Sequence, residues 1–329
     1  MVCVLTDHMI LLIDGLWGHR PWTLNLPLMK YNKTFLASSL LISVAFLGIS
    51  CVNGNRDDKK NDSTETVSNS GAEKSTLPYD LSKPVKYNMP HNLFEISGIV
   101  FHNGDPKEVF AIQDEDGDLF HLGLADKESK FTKFGGKGDY EDLAILNNTV
   151  IVLKSNGELH SFPISEINKP EVADVVKTKD LVPKAEYEGL AADEKTGLVY
   201  VLTKEIKKNK SDQTDIYAFK YADGKFTESG TFALSYKEIA DLSGEAKIKF
   251  RPSALAKNQS TNEWYVLSSV NKLLVVTDAN FKIKATYPLK GDFFNQPEGI
   301  AFDRDQNLYI SNEGGTLSAG NILMFKLKK

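Results

Sequence analysis

From residue 94 onward, short runs rich in Val, Ile, Leu, Phe and Tyr alternate with clusters of Gly, Asn, Asp and Lys. Apolar runs of this length between turn formers predict β-strands. They fall into groups: GIVFH, EVFAIQ, DLFHLGL and KFTKF come first, then DLAIL, TVIVLK and ELHSF. GLAAD, LVYVLT, DIYAFKY and KFTESGTFAL follow, then EWYVLSS, LLVVTD and KIKATYPL, and finally LYISN and NILMFKL. Each group opens on a related motif: EISGIVFH (95–102), DYEDLAIL (139–146), EYEGLAAD (186–193), RPSALAKN (251–258) and QPEGIAFD (296–303). Aligning Gly98, Asp142, Gly189, Ala254 and Gly299 gives intervals of 44, 47, 65 and 45 residues.

Four antiparallel strands per period of about 45 residues predict an all-β fold, a β-propeller of five blades. A βαβ repeat is excluded because no unit carries an amphipathic helix of the required length between its strands. The long interval has two visible sources, a polar excursion KEIKKNKSDQTD (204–215) and SYKEIADLSGEAKIKF (235–250), read as a short helix plus loop. A sixth, degenerate blade hidden there is the alternative. The fifth unit lacks an outer strand, and PVKYNMP (84–90) is predicted to supply it, closing the ring and removing two open edges. Asp116-Gly117 and Asn156-Gly157 are expected in tight hairpins at positive φ.

Before the repeat, the pattern changes. MKYNKTFLASSLLISVAFLGISC has Lys30 and Lys33 as a basic start, an apolar stretch from Phe35 to Leu47, and small residues before Cys51. This order is that of a secretory signal (29–50), and a cysteine directly behind it is the expected acceptor of a diacylglycerol, with fatty acyl chains such as palmitate. The apolar stretch is shorter than the roughly 20 residues of a transmembrane span. Residues 1–28, with Trp17, Arg20, Pro21 and Trp22, are read as an upstream translated region, Met29 being the expected start. Behind Cys51, the segment to residue 77 carries few apolar side chains larger than Ala and is expected to be a disordered tether. Asp57 and Asp58 there are either sorting residues or solvated charges. The working domain is therefore 78–329, on the periplasmic or surface face of the cell envelope, its membrane partner reached through the lipid, most simply at the outer membrane.

Composition adds limits. A net charge of −5 gives no electrostatic footprint for nucleic acid. Cys3 and Cys51 are the only cysteines, so no disulfide framework supports the domain. No GxSxG elbow, P-loop or HExxH spacing occurs, and His102, His121 and His160 are far apart. DEDGD (114–118) has its Gly at the fourth position, whereas a calcium loop of the EF-hand type needs it at the sixth. Phe120, Tyr200, Tyr217, Trp264, Tyr265 and Phe325 are expected to pack between blades.

The chemistry lies in the repeat. Ser97, Glu141, Glu188, Ser253 and Glu298 occupy equivalent positions, so ring symmetry should bring three carboxylates to one mouth of the central channel. Asp142 stands where other units have Gly or Ala, and Asp114, Glu115 and Glu313 follow in the next strands, with Lys154 and Lys204 as partners. Clustered carboxylates need a cation, a lysine or a proton. Three readings stay open: a structural polar ring, a hard cation such as calcium or magnesium on Glu141, Glu188 and Glu298, or catalytic carboxylates.

The signal together with FEISGIVFH, IQDEDGDLFHL, GDYEDLAIL, YEGLAAD and QPEGIAFDRDQNLYISNE resembles the SdiA-regulated family of bacterial propellers over roughly 90–329. That resemblance implies an envelope propeller and no defined chemistry. The expected function is binding of a small molecule, ion or envelope protein, or scaffolding. A metal-dependent hydrolase of phosphoesters or lactones is the alternative.

Overall fold

A computed structural model describes residues 76–205, 211–315 and 318–328. The expected signal, Cys51 and the tether up to residue 75 lie outside the described residues, as does the upstream region.

Inward-to-outward meanders dominate the fold. The first blade is β2 (Ile96–Val100), β3 (Val109–Gln113), β4 (Asp118–Leu122) and β5 (Lys130–Lys133). Blade two is β6 (Tyr140–Leu146), β7 (Thr149–Lys154), β8 (Leu159–Pro163) and β9 (Val176–Thr178). Blade three is β10 (Glu186–Asp193), β11 (Leu198–Glu205), β12 (Gln213–Ala222) and β13 (Lys225–Ser235). Blade four is β14 (Ala254–Asn258), β15 (Glu263–Ser268), β16 (Leu273–Thr277) and β17 (Ile283–Pro288). Blade five joins β18 (Pro297–Phe302), β19 (Leu308–Asn312) and β20 (Asn321–Phe325) to β1 (Val85–Asn88), with Val85 opposite Met324 and Asn88 opposite Asn321. The ring is closed by its N-terminal strand, as the pattern predicts.

Middle strands read as continuous apolar runs because both of their faces are buried. In β15, Trp264 and Val266 face blade three while Tyr265 and Leu267 face blade five. In β7, Val150 and Val152 face blade one while Ile151 and Leu153 face blade three. Period-two alternation thus feeds two different cores instead of a core and solvent. Five apolar clusters result, one per interface between neighbouring blades. The aromatics follow this plan: Tyr200 of blade three meets Trp264 of blade four edge-on at 4.5 Å.

The long interval holds no sixth blade. It is spent on the extended β12–β13 hairpin and on α1 (Tyr236–Ser243), which packs against β13 and β17. Part of the expected polar excursion is strand: Lys204 and Glu205 end β11 and Gln213 to Asp215 begin β12, with Glu205 opposite Glu186 and Gln213 opposite Ser235. Gly157 has the expected left-handed backbone, φ 87°, but Gly117 is absent from that region. Its need is spatial: a Cβ there would lie 2.6 Å from the Gly135 backbone and 2.8 Å from the Tyr140 hydroxyl.

Among the described residues no helix is long and apolar enough to cross a membrane.

Candidate site at the carboxylate mouth

The inner strands β2, β6, β10, β14 and β18 stand side by side around the axis. Their pairing with the second strands slips at one place. Tyr140 opposes Lys154 and Asp142 opposes Leu153, which leaves Glu141 as a bulge; Glu188 and Glu298 are bulged in the same way, and the irregularity of β2 spans Ser97. A bulge turns a side chain out of the alternation of its strand. Three glutamates that would otherwise face an apolar interface are thereby directed at one mouth of the channel.

Seams between blades hold this mouth. Ser97 donates from Oγ to the Glu141 carbonyl, Ser253 to the Pro297 carbonyl at 2.8 Å, and Ser311 to the Ser97 carbonyl at 2.7 Å. Asp142 is fully taken up in the structure: its two carboxylate oxygens accept from Leu143 N and from Leu190 N of the next blade, both at 2.8 Å. Burial makes it a weaker acid, pushing its pKa well above the usual carboxylate range against the pull of the two N–H groups. Asp142 fits where it does because Gly98 leaves room; a Cβ at 98 would sit 2.8 Å from the Asp142 Cα.

At the mouth, Glu188 is the hub. Lys204 donates its ammonium to Glu188 Oε1, and the Glu141 carboxyl hydrogen-bonds the same glutamate. Burial, reinforced by the Glu188 charge, pushes Glu141 up to about 9, so Glu141 holds a proton and donates it toward Glu188. Burial also raises Glu188, against the opposing pull of Lys204. Glu298 is pushed up to about 7, chiefly by burial and then by the Glu188 charge, and bonds Ser269. Lys272, near Glu298, is lowered by its own burial.

A model of the SdiA-regulated family matches residues 86–316, which covers blades one to four and blade five as far as β19. The chain belongs to the SdiA-regulated family. No individually curated protein matches it. Among solved structures, the Myxococcus xanthus glutaminyl cyclase is similar at 15% identity over 74% of this chain and 94% of that one, TM-score 0.50. The nidogen/laminin complex matches at 14% identity over 66% of this chain and 72% of that one, TM-score 0.42. Virginiamycin B lyase from Staphylococcus aureus does so at 13% over 70% and 66%, TM-score 0.41. At these identities the likeness extends to the fold.

Within this SdiA-regulated propeller, the acidic residues singled out from the sequence divide. Glu141, Glu188 and Glu298 share the mouth with Lys204. Asp114, Glu95 and Glu313 form a second group, each raised first by burial, with the Asp114 charge adding to the rise at both glutamates, and Gln296 donates to Glu313 at 2.5 Å. Glu115 is exposed and lies 3.6 Å from Lys137. Lys154 has its ammonium over the Tyr140 ring, 5.1 Å from the centroid. Among the described residues no group of three or more His, Cys, Asp or Glu is arranged to hold a metal ion. Ser269, Lys272 and Glu95 were not legible as site residues: the first two lie in the β15–β16 turn, and Glu95 precedes the repeat position by two. His121 and His160 serve packing, 3% and 2% exposed and each bonded to a glutamate at 2.8 Å, whereas His102 is not buried and bonds Asn148 at 3.0 Å.

Proposed function

We propose that this SdiA-regulated protein is a binding propeller of the cell envelope, held to the outer membrane by lipidated Cys51, and that its carboxylate mouth takes a small ligand through a cationic group. The observation that carries the reading is the convergence of three bulged glutamates with a single bonded ammonium, Lys204, on Glu188. Glu298 makes no ion pair among the described residues, so it is the carboxylate left to receive a ligand cation near neutral pH. Calcium and magnesium would compete for the same oxygens, though an organic ammonium suits a mouth without a metal-ligand cluster.

The test is a thermal scan of the full chain with and without putrescine, Ca²⁺ or Mg²⁺ at millimolar concentration. A ligand selective for the native state raises Tm by mass action. The expected shift is several degrees with putrescine, shrinking sharply in Glu298→Gln. No shift with any cation would overturn the reading. For the anchor, Cys51→Ala should abolish incorporation of labelled palmitate; a variant labelled like wild type would refute it.

A second reading, hydrolysis of a phosphoester or lactone, is favoured by one observation: Glu298 near 7 and protonated Glu141 form a base and an acid at one mouth. Its metal-dependent form has no comparable support. A bell-shaped pH–rate profile lost in Glu298→Gln would replace the binding reading by this one.

A further inference from the structure

The other end of the channel is built on the opposite principle. One residue further along the inner strands than the small-residue ring come Ile99, Leu143, Leu190, Leu255 and Ile300, each no more than 4% exposed. The next position is again small in four strands, Ala144, Ala191, Ala256 and Ala301. Side chains that stop at Cβ leave space, and a cavity of about 360 Å³ opens there, lined by both sets. That volume suits a small organic ligand.

Its polar rim is nearly balanced in charge. Lys257 is bonded to Asp193 at 2.7 Å and Arg304 to Asp105 at 2.9 Å. Asp303 is satisfied by Asn307 and by the Tyr309 hydroxyl at 2.9 Å. Lys195, close in sequence to Glu194 on the same rim, makes no ion pair among the described residues and donates to the Gln259 carbonyl at 2.9 Å. Gln259 lines the cavity too, and its Oε1 is buried with no hydrogen-bond partner. An orphaned buried acceptor is costly, and a ligand donor would relieve it.

We infer that this mouth is a second binding site, for an uncharged carboxamide whose acyl chain enters the alanine-lined well. Its N–H donates to Gln259 Oε1, and its carbonyl accepts from Lys195. A charged head is disfavoured because Lys257 and Arg304 already face carboxylates, and Glu194 beside Lys195 repels an anion. The site is separate from the carboxylate mouth and does not rest on the function proposed for it.

Calorimetric titration of the full chain carrying Cys51→Ala tests this with three probes of one chain length: hexanamide, methyl hexanoate and hexanoate. Hexanamide should bind, with the ester at least tenfold weaker because it leaves Gln259 unpaired, and hexanoate weaker as well. Gln259→Leu should erase the preference for the amide over the ester. Ala191→Leu should fill the well and abolish binding, and Lys195→Ala, at an exposed position where folding is safe, should weaken hexanamide severalfold. Equal binding of amide and ester, a preference for hexanoate, or no heat with hexanamide at millimolar concentration would overturn the assignment. Binding that disappears in Glu188→Gln and persists in Gln259→Leu would move the ligand to the other mouth and overturn it too.

Discussion

Asp142 shows how one departure from a repeat is absorbed. Where the other blades bring two backbones together through Gly or Ala, blade two inserts a carboxyl that ties its own strand to Leu190 of blade three. The space comes from Gly98 on the other side. Asp142 is therefore part of the ring's framework and is withdrawn from any ligand. Asp142→Asn keeps one acceptor and resembles the neutral carboxyl that burial favours, so it should cost about 1 kcal/mol. Asp142→Ala orphans two buried N–H groups, and a loss of about 2–5 kcal/mol is expected in denaturant unfolding. Equal stability of the two variants would mean that the bridge between blades contributes nothing.

At the scale of elements, the bulges and the closing strand carry the design. A bulge in the inner strand lets a glutamate leave the interface without disturbing its neighbours: Tyr140 and Tyr187, one residue earlier, remain buried. The closing segment acts through more than β1. Tyr79 is 2% exposed, donates to the Gln306 carbonyl at 2.8 Å and accepts from Asn258 at 3.1 Å, so it staples blade four to blade five. A chain starting at Leu93 loses both the strand and this staple, and leaves β20 with an unpaired edge. It should melt well below a chain starting at Leu77, or aggregate. Tyr79→Phe removes two hydrogen bonds while keeping the ring, for a cost of about 1–2 kcal/mol. Matching melting curves for the two chains would show that the ring closes without β1.

For the whole molecule, the carboxylate mouth makes stability depend on pH. Glu298 and Glu141 have an ordinary value of 4.5 and stand at about 7 and about 9 in the fold. The folded state therefore holds these protons more tightly than the unfolded chain. Their contribution is full below about pH 4.5 and is lost as pH rises, through about 7 for Glu298 and about 9 for Glu141. Tm should accordingly fall between pH 5 and pH 9. Glu298→Gln should flatten the lower part of that fall, and Glu141→Gln should flatten it up to the alkaline end. Wild-type and variant profiles that run parallel would refute the assignment.

Architecture was legible because it depends on local signals that repeat. Apolar runs of strand length, turn residues between them and five related motifs sufficed for five blades, and the missing outer strand pointed to β1 through the need to bury an edge. Equivalent repeat positions also placed Glu141, Glu188 and Glu298 at one mouth. What the sequence left open depends on the third dimension. Bulges are a relation between two strands, so the reason those glutamates leave the interface is invisible in either strand alone. Gly117 reads as a turn glycine, yet it is required by the Gly135 backbone and the Tyr140 hydroxyl, contacts of the β3–β4 loop with the chain that leads into blade two. Asp142 reads as a ligand carboxylate until burial and two backbone N–H groups claim it. The proton on Glu141 and the well beneath Gln259 arise from the packing of neighbouring blades, since desolvation and empty volume exist only once those blades are assembled.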